Sequence, residues 1–190
     1  MTLSTSALGF NLNADRLLHM TSPTLTVAAS THNAKKIYGK DDSAVYALND
    51  VSVDFYSGQF TAIMGPSGSG KSTLMHCIAG LDELTEGSAI IDGEDLSKMS
   101  DKHLTELRRV KIGFIFQSFN LVPTLTADEN IRLPLLLGNS KGNEEWIQRV
   151  INTVHLQDRL THRPSELSGG QQQRVAVARA LASEPRIIFA

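Results

Sequence analysis

Between a compact apolar run, residues 59–64, and a segment carrying Leu74, Cys77, Ile78 and Leu81 at helical spacing lies the nonapeptide Gly65-Pro66-Ser67-Gly68-Ser69-Gly70-Lys71-Ser72-Thr73. Strand, glycine-rich loop and helix in this order satisfy the pattern G-x-x-x-x-G-K-S/T, in which successive backbone N–H groups face a phosphate and the helix N-terminus adds its positive dipole. Glycines at 65, 68 and 70 let the backbone curl in this way. Lys71 is placed to reach the β- and γ-phosphates of a nucleotide, and the Ser72 hydroxyl to ligate the Mg²⁺ that offsets triphosphate charge. Average residue frequencies would produce such a match in roughly 1% of chains of this length. The flanking strand and helix make an accidental Gly/Ser turn rarer still. Cys77, one turn into the helix, reads as a small core residue rather than a nucleophile.

The rest of the chain is organised around that unit. Residues 1–23 are rich in Ser, Thr and Asn without sustained periodicity and are expected to be a disordered extension, with a short helix around residues 14–20 possible within it. Strands are expected over 25–29 and 47–55, with a turn at 39–43, and again over 88–91 and 111–117. Helices are expected over 72–81, 100–109, 128–137, 144–156 and 169–182, and a buried strand begins at Arg186. Alternating strands and helices with a helix-rich stretch over 118–165 define an α/β chain with one domain from Thr24 to Ala190.

Composition narrows the function classes. Eighteen Lys and Arg against 20 Asp and Glu, for a net charge of −2, supply no global basic field, which argues against nucleic acid as a partner. A single cysteine cannot form an intramolecular disulfide and fits a reducing compartment. The richest apolar runs, 112–116 and 133–137, are far short of the roughly 20 residues that span a bilayer. The first residues lack the basic and apolar regions of a secretion signal.

A phosphate-binding loop alone fits kinases, GTPases, helicases and transport ATPases. A second motif separates them: Leu167-Ser168-Gly169-Gly170-Gln171, followed by Gln172, Gln173, Arg174 and an Ala/Val-rich helix. Here too a Ser and two Gly open a helix whose first N–H groups suit an anion, although Ser168 is equally an ordinary N-cap. With both motifs present, the sequence from about Thr24 to Ala190 resembles the nucleotide-binding domain of ABC transporters. The finer resemblance is to the macrolide-export, lipoprotein-release and cell-division branch, carried by YALNDVSVDFYSGQFTAIMGPSGSGKSTLMHCIAGLD and IGFIFQSFNLVPTLTADENIRLPL.

The resemblance implies a P-loop NTPase with a RecA-like core, an antiparallel β-subdomain and a helical subdomain, incomplete at its C-terminus. It implies ATP and Mg²⁺ as ligands, pairing of two such domains head to tail as a homodimer or with another ABC domain, and docking on transmembrane permease subunits at the inner face of the cell membrane. Leu167–Gln171 would then act in trans, with Ser168 contacting the γ-phosphate held by the partner's loop. Tyr38, 33 residues before Lys71, falls where the family places an adenine-stacking aromatic. Gln117 matches a glutamine that serves Mg²⁺ or the attacking water. Phe119, Leu121 and Leu125 fall where the family forms a groove for the permease, or else belong to the core of the helical subdomain.

The family's Asp–Glu pair and switch histidine are expected beyond Ala190, so no catalytic residue is assignable, and the reading frame is expected to continue. His155, Asp158 and His162 read as a solvated face. Two alternatives stand beside the transport reading: an ABC ATPase of DNA repair or translation, and an inert nucleotide-binding fragment. Only 95 residues separate Lys71 from Leu167, with no heptad array, and one cassette is present, which counts against the first.

Overall fold

The structure, a computed structural model, describes residues 2–4 and 26–190. Two compact units divide between Lys98 and Met99. The first contains β1 (Thr2–Ser4), β2 (Val27–Tyr38), β3 (Val45–Tyr56), β4 (Ala62–Met64), α1 (Lys71–Ile78), β5 (Glu86–Ile91) and β6 (Glu94–Asp95). The helix expected near residues 14–20, and most of the expected extension, lie outside the described residues.

In the first unit an antiparallel sheet runs in the order β3-β2-β5-β6, and β4 pairs antiparallel with β1. Sequence alternation predicts β2 only over 25–29, yet the strand extends to Tyr38. The cause is a broken period: register shifts fall at Thr31/Ala34, Ala34/Lys36 and Lys36/Ile37. A bulge moves every later side chain to a new phase, so the period of two disappears from the sequence. Polar cross-strand pairs hold this irregular stretch: Asn33 donates from Nδ2 to Asp50 at 2.8 Å, and Lys35 donates to Glu86 at 2.6 Å. Beneath the sheet lie Ala29, Thr31, Ala34, Leu48 and Ile91, and α1 packs against β2, β3 and β5 with Leu74, Cys77 and Ile78 buried. The helix stops at Ile78 rather than at the expected Leu81, because the Leu81 N–H closes back on the His76 carbonyl.

The second unit contains α2 (Asp101–Lys111), β7 (Ile112–Phe114), α3 (Ala127–Leu137), α4 (Glu144–Thr153), α5 (Gly169–Leu181) and β8 (Ile187–Phe189). Each helix has a local reason to start where it does. Ser100 and Asn143 cap α2 and α4, and reciprocal capping boxes, Thr126/Glu129 and Ser168/Gln171, open α3 and α5. Ile131, Ile147, Ile151, Leu156 and Val175 form the centre of its core, with Trp146 against it donating from Nε1 to the Leu181 carbonyl at 2.8 Å. Between α3 and α4, Arg132 forms a two-pronged ion pair with Glu144 and a further one with Asp128.

Two expected boundaries need correction here. The strand expected over 111–117 is only Ile112–Phe114, because Lys111 still belongs to α2 and the chain turns at 117–118. Helix α4 ends at Thr153, not Leu156, because His155 takes a left-handed backbone, φ 55°, and Leu156 N–H bonds back to Ile151. Leu156 stays fully buried, which is why the apolar pattern outlasts the helix.

Candidate functional site

β4 delivers the chain into the glycine-rich loop and α1 receives it at Lys71. Gly68 and Gly70 both take left-handed backbone, φ 78° and 83°. At Gly70 a side chain is excluded twice over, because a Cβ there would lie 2.3 Å from the Ala47 carbonyl oxygen of β3. Gly70 is also the residue before the helix, and it has no side chain with which to cap the first N–H groups. The first turn of α1, Lys71 to Thr73, thus offers donors that a helix itself cannot satisfy, which suits an anion. The Lys71 ammonium donates to the Pro66 carbonyl at 2.7 Å and lies 3.5 Å from Ser69 Oγ, so its charge sits over the loop. The donor set suits a triphosphate with Mg²⁺: N–H groups and a cation for phosphate oxygens, and the hard hydroxyl oxygen of Ser72 for the metal.

Tyr38 closes β2 and is tied to the same helix. Its hydroxyl donates to Asp82 Oδ2 at 2.5 Å, and Asp82 follows the last turn of that helix. Lys36 donates to Asp82 Oδ1 and to the Glu83 carbonyl, each at 2.6 Å, and its ammonium sits 4.9 Å from the centre of the Tyr38 ring. Burial pushes the Asp82 carboxyl up, but hydrogen bonds from Lys36 and Tyr38, with the Lys36 charge, outweigh it and hold the group below the ordinary carboxylate range. Hydrogen bonding to Asp82 in turn raises the Tyr38 phenol. Neither Lys36 nor Asp82 is legible as a site residue in the sequence, since no local pattern joins positions 46 residues apart. Cys77 is a core thiol pushed up to about 11 by burial, as its position on the inner face of α1 implies.

In the second unit Leu167 is buried and Ser168 caps α5, its Oγ accepting from Gln171 N–H while Gln171 Oε1 accepts from Ser168 N–H at 2.8 Å. Accepting in this way uses an oxygen lone pair, not the hydroxyl proton. Nothing lies within 4 Å of where a Cβ would stand on Gly169 or Gly170, so this face of the helix start is open to a large ligand. Gln117 does not end a strand: it lies exposed in a turn three residues after β7. That turn leads into Phe119 and Asn120, both left-handed at φ 60° and 46°. Arg179 of α5 holds the pair, donating to the Phe119 carbonyl at 2.7 Å and the Asn120 carbonyl at 2.6 Å, a tie between the signature helix and the Gln117 turn that sequence reading missed. Leu121 packs against the helical core, and Phe119 and Leu125 are half-buried. Among the described residues no helix is long and apolar enough to cross a membrane.

Loop, helix and signature together define a P-loop ATPase of the cassette type, and comparison with known proteins agrees. The family model described as "ABC transporter" matches residues 48–190. An uncharacterized ABC transporter ATP-binding protein of Thermotoga maritima is 49% identical over 157 residues, 82% of this chain and 67% of that one. The macrolide export ATP-binding/permease protein MacB of Brucella melitensis is 48% identical over 157 residues, 82% of this chain and 24% of that one. Among solved structures, the dimeric post-hydrolysis state of the ATP-binding cassette MJ0796 of Methanocaldococcus jannaschii, bound to ADP and Pi, is 44% identical with a TM-score of 0.73, covering 84% of this chain and 72% of that one. The chain belongs to the ABC transporter ATP-binding family.

Proposed function

We propose that this chain is the ATP-binding subunit of an ABC transporter of the export or lipoprotein-release type, working at the cytoplasmic face of the membrane on permease subunits. The observation that carries the reading is the strand–loop–helix of residues 62–78, with Lys71 over a loop whose helix start presents donors to an anion. Gly65 to Thr73 would hold the phosphates, Ser72 and Gln117 would ligate Mg²⁺, and the Tyr38 ring would stack on the base. Bound there, Mg²⁺ would neutralise triphosphate charge.

Each loop then completes its site with Leu167–Gln171 of a second copy, so nucleotide favours a closed pair: the triphosphate charge is solvated from both sides, and its loss on hydrolysis removes the bridge. The dimeric, ADP- and Pi-bound relative supports this arrangement. Expressed with an affinity tag and recovered from solubilised membranes, the protein should co-purify with integral membrane subunits. Recovery with ribosomes or DNA instead would favour the non-transport reading.

A further inference from the structure

The geometry points to Asp82 as a positioning residue that, with Lys36, fixes the Tyr38 ring for base stacking and ties it to the helix that presents the phosphate donors. The inference rests on the nucleotide-site reading above and extends it to residues outside both motifs.

Tyr38 is 43% exposed at the end of a strand, where an unrestrained ring would rotate freely and lose that freedom on binding a base. Here the ring is held at two places. Its hydroxyl is committed to Asp82, and one face is covered by the Lys36 ammonium, which stands two residues earlier on the same side of β2. With the residue 43% exposed, the face away from Lys36 is the one assigned to a flat base. Asp82 is itself anchored to α1, because the N–H groups of Leu81 and Asp82 both return to the carbonyl of His76 in the last turn of that helix. The distance from stacking ring to phosphate donors is therefore set by a short rigid helix rather than by loops.

The chemistry requires a carboxylate at this point. Three donors converge on it, the Tyr38 hydroxyl, the Lys36 ammonium and the Glu83 N–H. An ionised Asp is acceptor-only on both oxygens, whereas Asn would turn an NH₂ group toward one of those donors.

The test compares a ligand with a base to one without. Affinities for MgATP and for magnesium tripolyphosphate are measured by calorimetry on the wild-type chain, Asp82→Asn, Tyr38→Phe and the double variant. Phe keeps the stacking ring but loses the tether. The expected result is that Asp82→Asn and Tyr38→Phe each weaken MgATP by about 3–10-fold, that the double variant is no worse than either, and that tripolyphosphate binding stays within about twofold. Asp82→Asn weakening both ligands equally would overturn the inference in favour of a purely structural role, as would unchanged MgATP affinity. Failure of the nucleotide-site reading looks different, since the wild-type chain would then bind neither ligand. Wild type binding both ligands equally would refute base stacking and the inference with it.

Discussion

Replacing Gly70 by Ala tests how the fold shapes the phosphate loop. At φ 83° an L-residue costs about 1–2 kcal/mol, because its Cβ crowds the following carbonyl. The new Cβ also falls 2.3 Å from the Ala47 carbonyl oxygen, and relief to an ordinary 3.4 Å contact needs a movement of about 1 Å. Neither party yields easily. Ala47 is held in β3, and Gly70 accepts the Leu74 N–H at 2.8 Å as the first link of α1. Overpacking of this kind adds roughly 1–3 kcal/mol, so Gly70→Ala should lose about 2–5 kcal/mol in total. The helix start should move with it, and a displacement of about 1 Å takes the donors out of register with phosphate oxygens, weakening MgATP by about 10–100-fold. Gly68→Ala is the control: φ is 78°, but nothing stands within 4 Å of its Cβ, so only the backbone cost of about 1–2 kcal/mol applies. Denaturation midpoints and calorimetric affinities of the two variants separate the contributions. Equal losses in both, or a Gly70→Ala protein as stable and as tight-binding as wild type, would refute the close approach of loop and β3.

Asn130, fully buried, accepts the Val122 N–H and donates to the carbonyls of Val122, Leu125 and Thr126. Asn130→Asp removes every donor and buries a charge, which should cost about 3 kcal/mol and lower the thermal midpoint by about 6–12 °C; a drop below about 2 °C would contradict this pinning of the 122–126 loop. The Glu144 carboxyl is held down to about 2 by hydrogen bonds from Arg132 and Gln148. A depressed folded value means that its stabilisation is present above the ordinary value of 4.5 and is lost as pH falls through about 2. The side chain is 59% exposed, so the contribution is below about 1 kcal/mol, and a Glu144→Gln protein should be slightly less stable than wild type at pH 7 and equal to it at pH 2 in matched thermal melts. Cys77, its thiol pushed up to about 11 by burial, should resist iodoacetamide at pH 8 in the folded chain and react on denaturation, as read by mass spectrometry. Rapid labelling of the native chain would place Cys77 outside the core.

What could be read from the sequence is what is local in the chain. Gly65 to Thr73 and Leu167 to Gln171 each carry their geometry within one turn and one helix start, so pattern and structure coincide. The helix starts at Ser100, Thr126, Asn143 and Ser168 are legible for the same reason, each cap lying three residues from the N–H it accepts. What escaped is non-local or out of phase. The bulges of β2 erase its alternation, β7 pairs with a strand 75 residues away, and the apolar face of α4 runs on past a left-handed His155. The side-chain ties of Lys36 and Tyr38 to Asp82 in the first unit, and of Arg179 to Phe119 and Asn120 in the second, join positions 44 to 60 residues apart, where a single sequence offers no spacing to count.

The central claim is that the loop over 65–73 binds a nucleoside triphosphate through Lys71 and the start of α1. Calorimetric titration of MgATP into the wild-type chain and into Lys71→Ala tests it most directly. The wild-type chain should bind with a stoichiometry of about one, and loss of the charge-assisted contacts of Lys71 should weaken binding by on the order of 10-fold or more, with the thermal midpoint little changed. A Lys71→Ala protein that binds MgATP as tightly as wild type, or a folded wild-type chain that does not bind it, would contradict the account.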